Sequence, residues 1–323
     1  MEKFQFLIPN ESNETMIEEV RCLRKKEENL RNLWVNYQYQ EILMSSFEYI
    51  ELYKNVISNL EEEGLFQFIN REGKRITLRW DFTIPIARYY ISKKTNEVAR
   101  YCYFGKVYRK EKALKGKNSE NYQAGIELIN EEKEQGETEC LALLEDSLSV
   151  LRLQDFRIEF GSALFFKRVC ELTGKKEELT HILEKKNESE MEKWIKQNSF
   201  SEDLNKLLRK LLRMNGTEEI LERLLTEIKD EILREEILKL EAVKKKIKKQ
   251  SKIIFDLAMV PKMEYYDGLM FQVYSKYVPN PIVSGGRYDR LYQKFGKEVS
   301  AIGIGFYQNE ILQVLKKEGE ENA

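Results

Sequence analysis

Three strand-like runs between Tyr265 and Phe306 decide the fold, and each of them contains or borders glycine. They read Gly268-Leu-Met-Phe-Gln-Val-Tyr274, Ile282-Val-Ser-Gly-Gly286 and Ala301-Ile-Gly-Ile-Gly-Phe306. Two prolines and an asparagine at 279–281 predict a turn between the first two runs. Glycine has no Cβ, so the backbone of such runs can approach a ligand closely. The pattern predicts strands whose glycines leave the backbone uncovered by side chains. Such strands form either an ordinary antiparallel core or the floor of a binding site.

The composition is that of a globular protein with a strongly charged surface. The chain has 323 residues, of which 42% are hydrophobic and 34% are charged, enough for one large domain or two modest ones. Lys and Arg number 54 against 55 Asp and Glu, which leaves a net charge of −1. No overall field therefore favours nucleic acid, and no apolar run approaches the length of a membrane span.

The cysteines and the single histidine limit the possible chemistry. Cys22, Cys102, Cys140 and Cys170 form no Cys-x-x-Cys pair and follow no signal peptide, which predicts reduced thiols in a cytoplasmic protein. His181 is the only histidine and lies among polar helical residues. A zinc site built from several imidazoles is therefore excluded, and we expect His181 on the surface.

Residues 164–250 differ from the rest of the chain. Leucine and isoleucine recur there at helical spacing between charges, and there are no prolines or strand-like runs. This predicts an inserted helical domain, residues 164–250, that divides the core of the chain into residues 1–163 and 251–323. The insertion ends in the lysine-rich run Lys244–Lys249, which is either a phosphate contact or, as we favour, a solvated helix face.

Five polar residues are candidates for a ligand site. Asp81 and Thr83 lie where a strand turns into a helix, so they either cap that helix or face a ligand. Gln123 and Glu127 are four apart in a strand-like run and point to the same face, which is either an exposed sheet face or a hydrogen-bonding floor. Arg109 follows the aromatic strand-like run that begins near residue 100.

The common nucleotide-binding templates are absent. There is no Gly-x-x-x-x-Gly-Lys-Ser/Thr loop, and Gly303-Ile-Gly305 lacks the third glycine of the dinucleotide fingerprint. Helices and strands do not alternate as a parallel sheet requires. We therefore predict an α+β fold with a mainly antiparallel sheet flanked by helices.

Five stretches, in this order, resemble motifs of the class II aminoacyl-tRNA synthetases, and in particular of the histidyl-tRNA synthetases: Leu78-Arg-Trp-Asp-Phe-Thr83, Tyr108-Arg-Lys-Glu111, Gln123-Ala-Gly-Ile-Glu127, Tyr265-Tyr-Asp-Gly268 and Ser284-Gly-Gly-Arg-Tyr-Asp289. Asp81 stands where those enzymes carry glutamate. The resemblance extends from about Glu14 to Phe306 and implies a class II synthetase-like antiparallel sheet.

The chain also departs from the synthetases. The segment Val260–Glu264 lacks their loop arginine, and Glu310 falls at about the position of the arginine that holds ATP. A carboxylate facing a triphosphate is repulsive where an arginine would bind it. Ser119 replaces a second arginine and Ser45 a proline of the dimer motif. Only 17 residues follow Phe306, so we expect no anticodon-binding domain.

With these departures, the chain resembles the synthetase-like regulatory subunits of ATP phosphoribosyltransferase. That resemblance implies a non-catalytic protein without a cofactor, needed for the first step of histidine biosynthesis and conferring inhibition by histidine. It implies a homodimer within a hetero-oligomer containing the short-form catalytic subunit, with no role in binding membranes. The alternatives are a truncated histidyl-tRNA synthetase-like enzyme that activates an amino acid with ATP, and an adaptor that binds tRNA through the insertion.

The resemblance also implies roles for the candidate side chains. Asp81, Thr83 and Gln123 are expected to hold the α-ammonium group of histidine, and Glu127 to accept a hydrogen bond from its imidazole. All four lie in the two polar motifs that begin at residues 78 and 123.

The remaining site residues lie on a loop and at a strand end. Tyr265 and Tyr266 are expected to close over the imidazole ring, with Gly268 allowing the loop to move. Because the loop arginine is absent, we expect the bidentate fork of Arg109 to bind the carboxylate. No nucleophile or metal ligand set is expected.

Overall fold

The computed structural model describes residues 14–58, 60–110, 118–247 and 252–321. The strands within them are β1 Gln40–Glu41, β2 Phe47–Tyr49, β3 Gln67–Ile69, β4 Arg75–Leu78, β5 Ala99–Tyr108, β6 Glu120–Ile129, β7 Arg157–Ser162, β8 Asn215–Gly216, β9 Lys252–Asp256, β10 Leu269–Tyr274, β11 Val283–Arg287 and β12 Ala301–Tyr307. The helices are α1 Ile17–Asn36, α2 Ile50–Val56, α3 Thr83–Ser92, α4 Lys133–Leu151, α5 Ala163–Thr173, α6 Lys176–Lys185, α7 Glu188–Gln197, α8 Glu202–Leu211, α9 Glu218–Glu227, α10 Glu231–Lys246, α11 Asp289–Gln293 and α12 Gln308–Glu321.

A large sheet forms the centre of the molecule. Its strand order is β1-β5-β6-β12-β11-β10-β7-β9-β8, and a small sheet has the order β2-β4-β3. In the large sheet only the β1–β5 and β7–β9 pairs are parallel. The prediction of a mainly antiparallel sheet flanked by helices is therefore confirmed. In the small sheet, β3 and β4 pair as an antiparallel hairpin.

The large sheet separates two hydrophobic clusters because successive side chains of a strand point to opposite faces. On β5, Cys102 packs into the cluster under α1 and α4, whereas Tyr103 packs into the cluster under α3 and α11. The three runs that we used to predict the fold become β10, β11 and β12 and lie side by side at the centre of the sheet.

Residues 164–250 are mainly helical, as expected, and α5 to α10 cover this region up to Lys246. The expectation that strands are absent there was wrong: Asn215 and Gly216 form β8, which pairs with β9 at the sheet edge. The buried leucines of these helices belong to the same hydrophobic cluster as Phe160 and Phe255 of the sheet. The division of the chain at 163/164 and 250/251 stays a prediction.

The single histidine, the lysine-rich run and the four cysteines lie in surroundings that are usual for residues without a chemical role. His181 is exposed, as expected. Lys244 pairs with Glu218 at a solvated position, whereas Lys246 is only 15% exposed and pairs with Glu137; Lys248 and Lys249 lie outside the described residues. The four cysteines are free thiols. Among the described residues, no helix combines the length and apolar character needed to cross a membrane.

Candidate functional site

A cavity of about 280 Å³ opens on the sheet face that carries α3 and α11. All the side chains predicted to bind the ligand line this cavity: Asp81, Thr83, Arg109, Gln123, Glu127, Tyr265 and Tyr266. They come from the start of α3, the end of β5, from β6 and from the loop before β10. The fold thus brings Asp81 and Tyr265, which are 184 residues apart in the sequence, into hydrogen-bond contact.

Glycines of β12 make room for the polar side chains of β6. Gly303 lies opposite Glu127, and Gly305 lies opposite Gly125. A Cβ at Gly303 would overlap the Glu127 carboxylate, and one at Gly305 would be 2.5 Å from Gln123 Nε2. The glycines of β12 therefore leave space on one face of the sheet. The side chains of Glu127 and Gln123, from the neighbouring strand β6, fill that space.

Glu127 is a buried carboxyl group held by two hydroxyl donors. Thr83 Oγ1 donates to its Oε1 at 2.7 Å, and the Tyr288 hydroxyl donates to its Oε2. Burial raises the pKa of Glu127 to about 8, although the hydrogen bonds from Tyr288 and Thr83 act in the opposite direction. This group therefore holds a proton near neutral pH, and a ligand that donates to it favours the ionised form.

Asp81 is buried at the beginning of α3. Its Oδ2 accepts from the Tyr265 hydroxyl at 3.2 Å and from the Ile84 amide at 3.4 Å, the latter a long and weak cap. Its Oδ1 is buried and has no hydrogen-bond partner among the described residues. Burial raises the pKa of Asp81 to about 7, with Arg109 opposing the shift. Thr83 does not cap the helix, since its hydroxyl donates to Glu127.

Gln123 leaves a second acceptor unsatisfied in the same cavity. Its Nε2 donates to the Tyr103 hydroxyl at 2.8 Å, while its buried Oε1 has no partner in the part of the chain that the structure describes. A buried acceptor without a donor costs about 1–3 kcal/mol. Two such acceptors, on Asp81 and Gln123, suit a ligand group that carries several N–H donors, such as an ammonium.

Two cations lie at the end of the cavity that Tyr307 lines. Arg109 Nε donates to the Trp80 carbonyl at 3.0 Å, and the guanidinium lies 5.3 Å from the centre of the Trp80 ring. Lys262 Nζ lies 5.7 Å from the centre of the Tyr307 ring. The pKa of Tyr307 is lowered: burial acts against this, but the charges of Lys262 and Arg109 outweigh it. This end of the cavity therefore favours negative charge.

The loop before β10 forms the aromatic wall. The ring centres of Tyr265 and Tyr266 are 5.5 Å apart, and those of Tyr265 and Tyr288 are 5.8 Å apart. The loop is held by backbone hydrogen bonds from Tyr266 N to Met263 O and from Asp267 N to Arg287 O. A flat ring can therefore be enclosed by tyrosines next to Glu127.

The cavity residues that the sequence reasoning missed include Tyr103, Lys262 and Tyr288. Tyr288 lies within the glycine-rich stretch that we quoted, but its contact with Glu127 spans 161 residues and leaves no local signal. Lys262 was missed because only an arginine was expected as the cation of this loop. Tyr103 and Gly105 are two residues apart on β5 and therefore point to the same face of the sheet. The two-residue period of a strand could have predicted that face for Tyr103.

The arginine of the glycine-rich stretch is structural. Arg287 pairs with Glu137 and Asp289 and donates to the Lys133 carbonyl at 2.7 Å, so it does not line the cavity. Glu310, in the first turn of α12, is close enough to Tyr307 to act electrostatically on its hydroxyl. Glu111 of the quoted second motif lies outside the described residues. No group of three His, Cys, Asp or Glu side chains within the described ranges could hold a metal.

The mainly antiparallel sheet and its polar, glycine-floored cavity define a protein of the class II aminoacyl-tRNA synthetase type. The sequence profile described as Histidyl-tRNA synthetase matches residues 12–311. The solved structure titled as an ATP phosphoribosyltransferase regulatory subunit/histidyl-tRNA synthetase from Bacillus halodurans superimposes with a TM-score of 0.86 at 26% identity, covering 97% of this chain and 84% of that one.

Comparison with curated proteins shows which group within the class II synthetase type this chain belongs to. The ATP phosphoribosyltransferase regulatory subunit of Lactococcus lactis subsp. lactis is 43% identical over 322 residues, covering 98% of both chains. The protein of the same name from Bacillus cereus is 30% identical over 329 residues, covering 99% of this chain and 78% of the relative. The chain therefore belongs to the histidyl-tRNA synthetase-like family of ATP phosphoribosyltransferase regulatory subunits, which confirms the resemblance drawn from the motifs.

Proposed function

We propose that this chain binds free histidine in the cavity and acts, without catalysis of its own, as a regulatory subunit of ATP phosphoribosyltransferase in the cytoplasm. The observation that carries the proposal is a pair of buried acceptors, Asp81 Oδ1 and Gln123 Oε1, to which no described residue donates. An α-ammonium group supplies three donors and a positive charge, so it satisfies both acceptors and favours ionised Asp81.

The rest of the cavity suits the other parts of histidine. Glu127 accepts a hydrogen bond from an imidazole N–H, and Thr83 and Tyr288 keep its carboxyl group in place. The rings of Tyr265 and Tyr266 enclose the imidazole. Toward the described residues, the Arg109 side chain donates through Nε to the Trp80 carbonyl, and its two terminal nitrogens can bind the carboxylate as a fork.

The charge beside the cavity argues against ATP activation. Glu310 is the residue at about the position of the synthetases' ATP-binding arginine, and its charge acts on Tyr307 at the cationic end. A carboxylate there repels a triphosphate instead of stabilising it. This supports a protein that senses the amino acid but does not activate it.

A sensor without its own reaction must act on a partner. We infer a complex in which homodimers of this chain associate with the short-form catalytic subunit and histidine binds unequally to at least two states of that complex. Coupling of this kind is typically about 1–3 kcal/mol, which changes apparent affinity severalfold to about a hundredfold. The loop that carries Tyr265 and Tyr266 is the part of the site that can move with the ligand.

Calorimetry of the purified chain tests the binding step. L-histidine should bind, and glycine and L-phenylalanine should bind far more weakly, because neither offers an N–H donor to Glu127. Histidine-dependent ATP–pyrophosphate exchange should be absent, whereas robust exchange by the chain alone would establish the amino-acid-activating alternative. Reconstitution with the catalytic subunit should give inhibition by histidine that depends on this chain; equal inhibition without it would overturn the regulatory role.

A further inference from the structure

The register of the floor strands gives the cavity two chemically different ends. Along β6, Glu127 lies opposite Gly303, and Gln123 lies opposite Tyr307. These positions are four residues apart, a distance of roughly 13 Å between backbone positions in a strand. Glu127 thus marks the end of the floor near Gly303, and the charges of Lys262 and Arg109 act on Tyr307 at the other end.

Lys262 is the cation nearest to that second end on the loop side. It lines the cavity, its Nζ lies over the Tyr307 ring, and within the described ranges no carboxylate is within ion-pair distance of it. The acid of its own loop, Glu264, instead accepts from the Ser58 amide at 3.0 Å. The facing negative group is Glu310 of α12, and the lowered pKa of Tyr307 indicates that the two cations outweigh it.

We propose that Lys262 binds the carboxylate of the amino-acid ligand together with Arg109, so that this one group bridges the sheet and the tyrosine loop. The inference rests on the proposed function, since it assigns a residue to the same ligand site. The two cations come from different parts of the fold: Arg109 follows β5, and Lys262 lies in the loop that also carries Tyr265 and Tyr266.

This arrangement makes loop closure depend on both ends of the ligand. The carboxylate attracts Lys262, and the same movement brings the two tyrosines towards the ring. Lys262 has a flexible stem and three donors, so it can follow the loop while its charge stays on the carboxylate. A ligand that has the imidazole and the ammonium but lacks the carboxylate fills the acidic end and leaves the loop without this attraction.

The experiment compares L-histidine with histidinol, which has a hydroxymethyl group in place of the carboxylate, by calorimetry on the full chain. Lys262→Met should weaken histidine binding about fivefold to tenfold, the range for a charge-assisted contact at a partly exposed site, and should change histidinol binding less than twofold. Lys262→Arg should keep histidine binding within about threefold. Lys167→Met is the matched control, because Lys167 is also exposed and lines the outer side of the same loop.

Hydrogen exchange supplies a second measurement. Histidine, but not histidinol, should slow amide exchange in residues 260–268 of the wild type, and Lys262→Met should remove that difference. Equal losses for both ligands, no loss for either, or an equal loss in Lys167→Met would overturn the assignment of Lys262 while histidine binding by the wild type stands. A wild-type chain that binds neither ligand would overturn the proposed function and this inference with it.

Discussion

Two buried carboxyl groups, one in the helical insertion and one in the cavity, show how differently the two regions are built. Glu236 of α10 is buried, and both of its oxygens are satisfied, by Ser162 Oγ at 2.6 Å and by Lys239 Nζ at 2.6 Å. Asp81 is equally buried, yet one of its oxygens has no donor in the described part of the chain. The first arrangement stabilises the fold, whereas the second leaves interaction energy available for a ligand.

The charged residues that surround these two carboxyl groups differ in the same way. Around the insertion, exposed charges pair across neighbouring helices, as in Lys210 with Glu227 at 2.9 Å. In the cavity, burial raises the pKa of both carboxyl groups, the charge of Asp81 adds to the rise at Glu127, and Arg109 opposes the rise at Asp81. Stability and ligand binding should therefore respond to substitutions in different regions.

The largest expected effect is on stability, in the insertion. Leu240 of α10 is 1% exposed, so Leu240→Ala should lower the free energy of unfolding by about 2–5 kcal/mol. Leu238 on the same helix is 48% exposed and is the matched control, for which the change should be within about 0.5 kcal/mol. Urea unfolding measures both. Histidine affinity of the folded variants should stay within twofold of wild type, and a large change would show that the two regions are coupled.

The second effect is on binding, in the cavity. Glu127→Gln removes a charge-assisted hydrogen bond to the imidazole and should weaken histidine binding by about 1–3 kcal/mol in calorimetry. Unchanged affinity would remove Glu127 from the site.

The same substitution should also change how the stability of the fold depends on pH. The pKa of Glu127 is about 8 in the fold and lies near its ordinary value of 4.5 in the unfolded chain. Between these values the folded chain holds a proton that the unfolded chain has released, so the stability contribution of this group is full below about pH 4.5 and is lost as the pH rises through 8. Glutamine cannot titrate, so unfolding of Glu127→Gln should be less dependent on pH than that of wild type between pH 5 and 8.

The sequence predicted those parts of the fold that depend on local patterns. Helical spacing identified the insertion, and the glycine-bordered runs identified β10, β11 and β12. Two-residue β8 was missed, because a pair such as Asn215-Gly216 carries no strand period and forms only by pairing with β9. The seven predicted side chains do line one cavity, but that prediction came from motif resemblance; the contacts of Tyr288 and Lys262 depend on which strands meet in space.

The third effect is on the pH dependence of binding. The pKa of Asp81 is about 7 in the empty cavity, and an ammonium ligand requires its ionised form. Below pH 7 binding must therefore displace a proton from Asp81, and affinity should rise by up to about tenfold between pH 6 and 8. Asp81→Asn removes this component but leaves titration of the ligand imidazole unchanged. Calorimetry at three pH values should thus give a steeper profile for wild type than for the variant, and parallel profiles would contradict the assignment.

The smallest expected effect concerns an exposed charge in the insertion. Arg213 pairs with Glu188, and their side chains are 73% and 53% exposed. Water and salt screen such a pair, so its contribution to stability is small. Arg213→Gln should leave both the urea midpoint and the histidine affinity within experimental error, at low and at physiological ionic strength. A loss of histidine affinity in this variant would mean that charges of the insertion reach the cavity, and the separation between a region that stabilises the fold and a region that binds the ligand would then not hold.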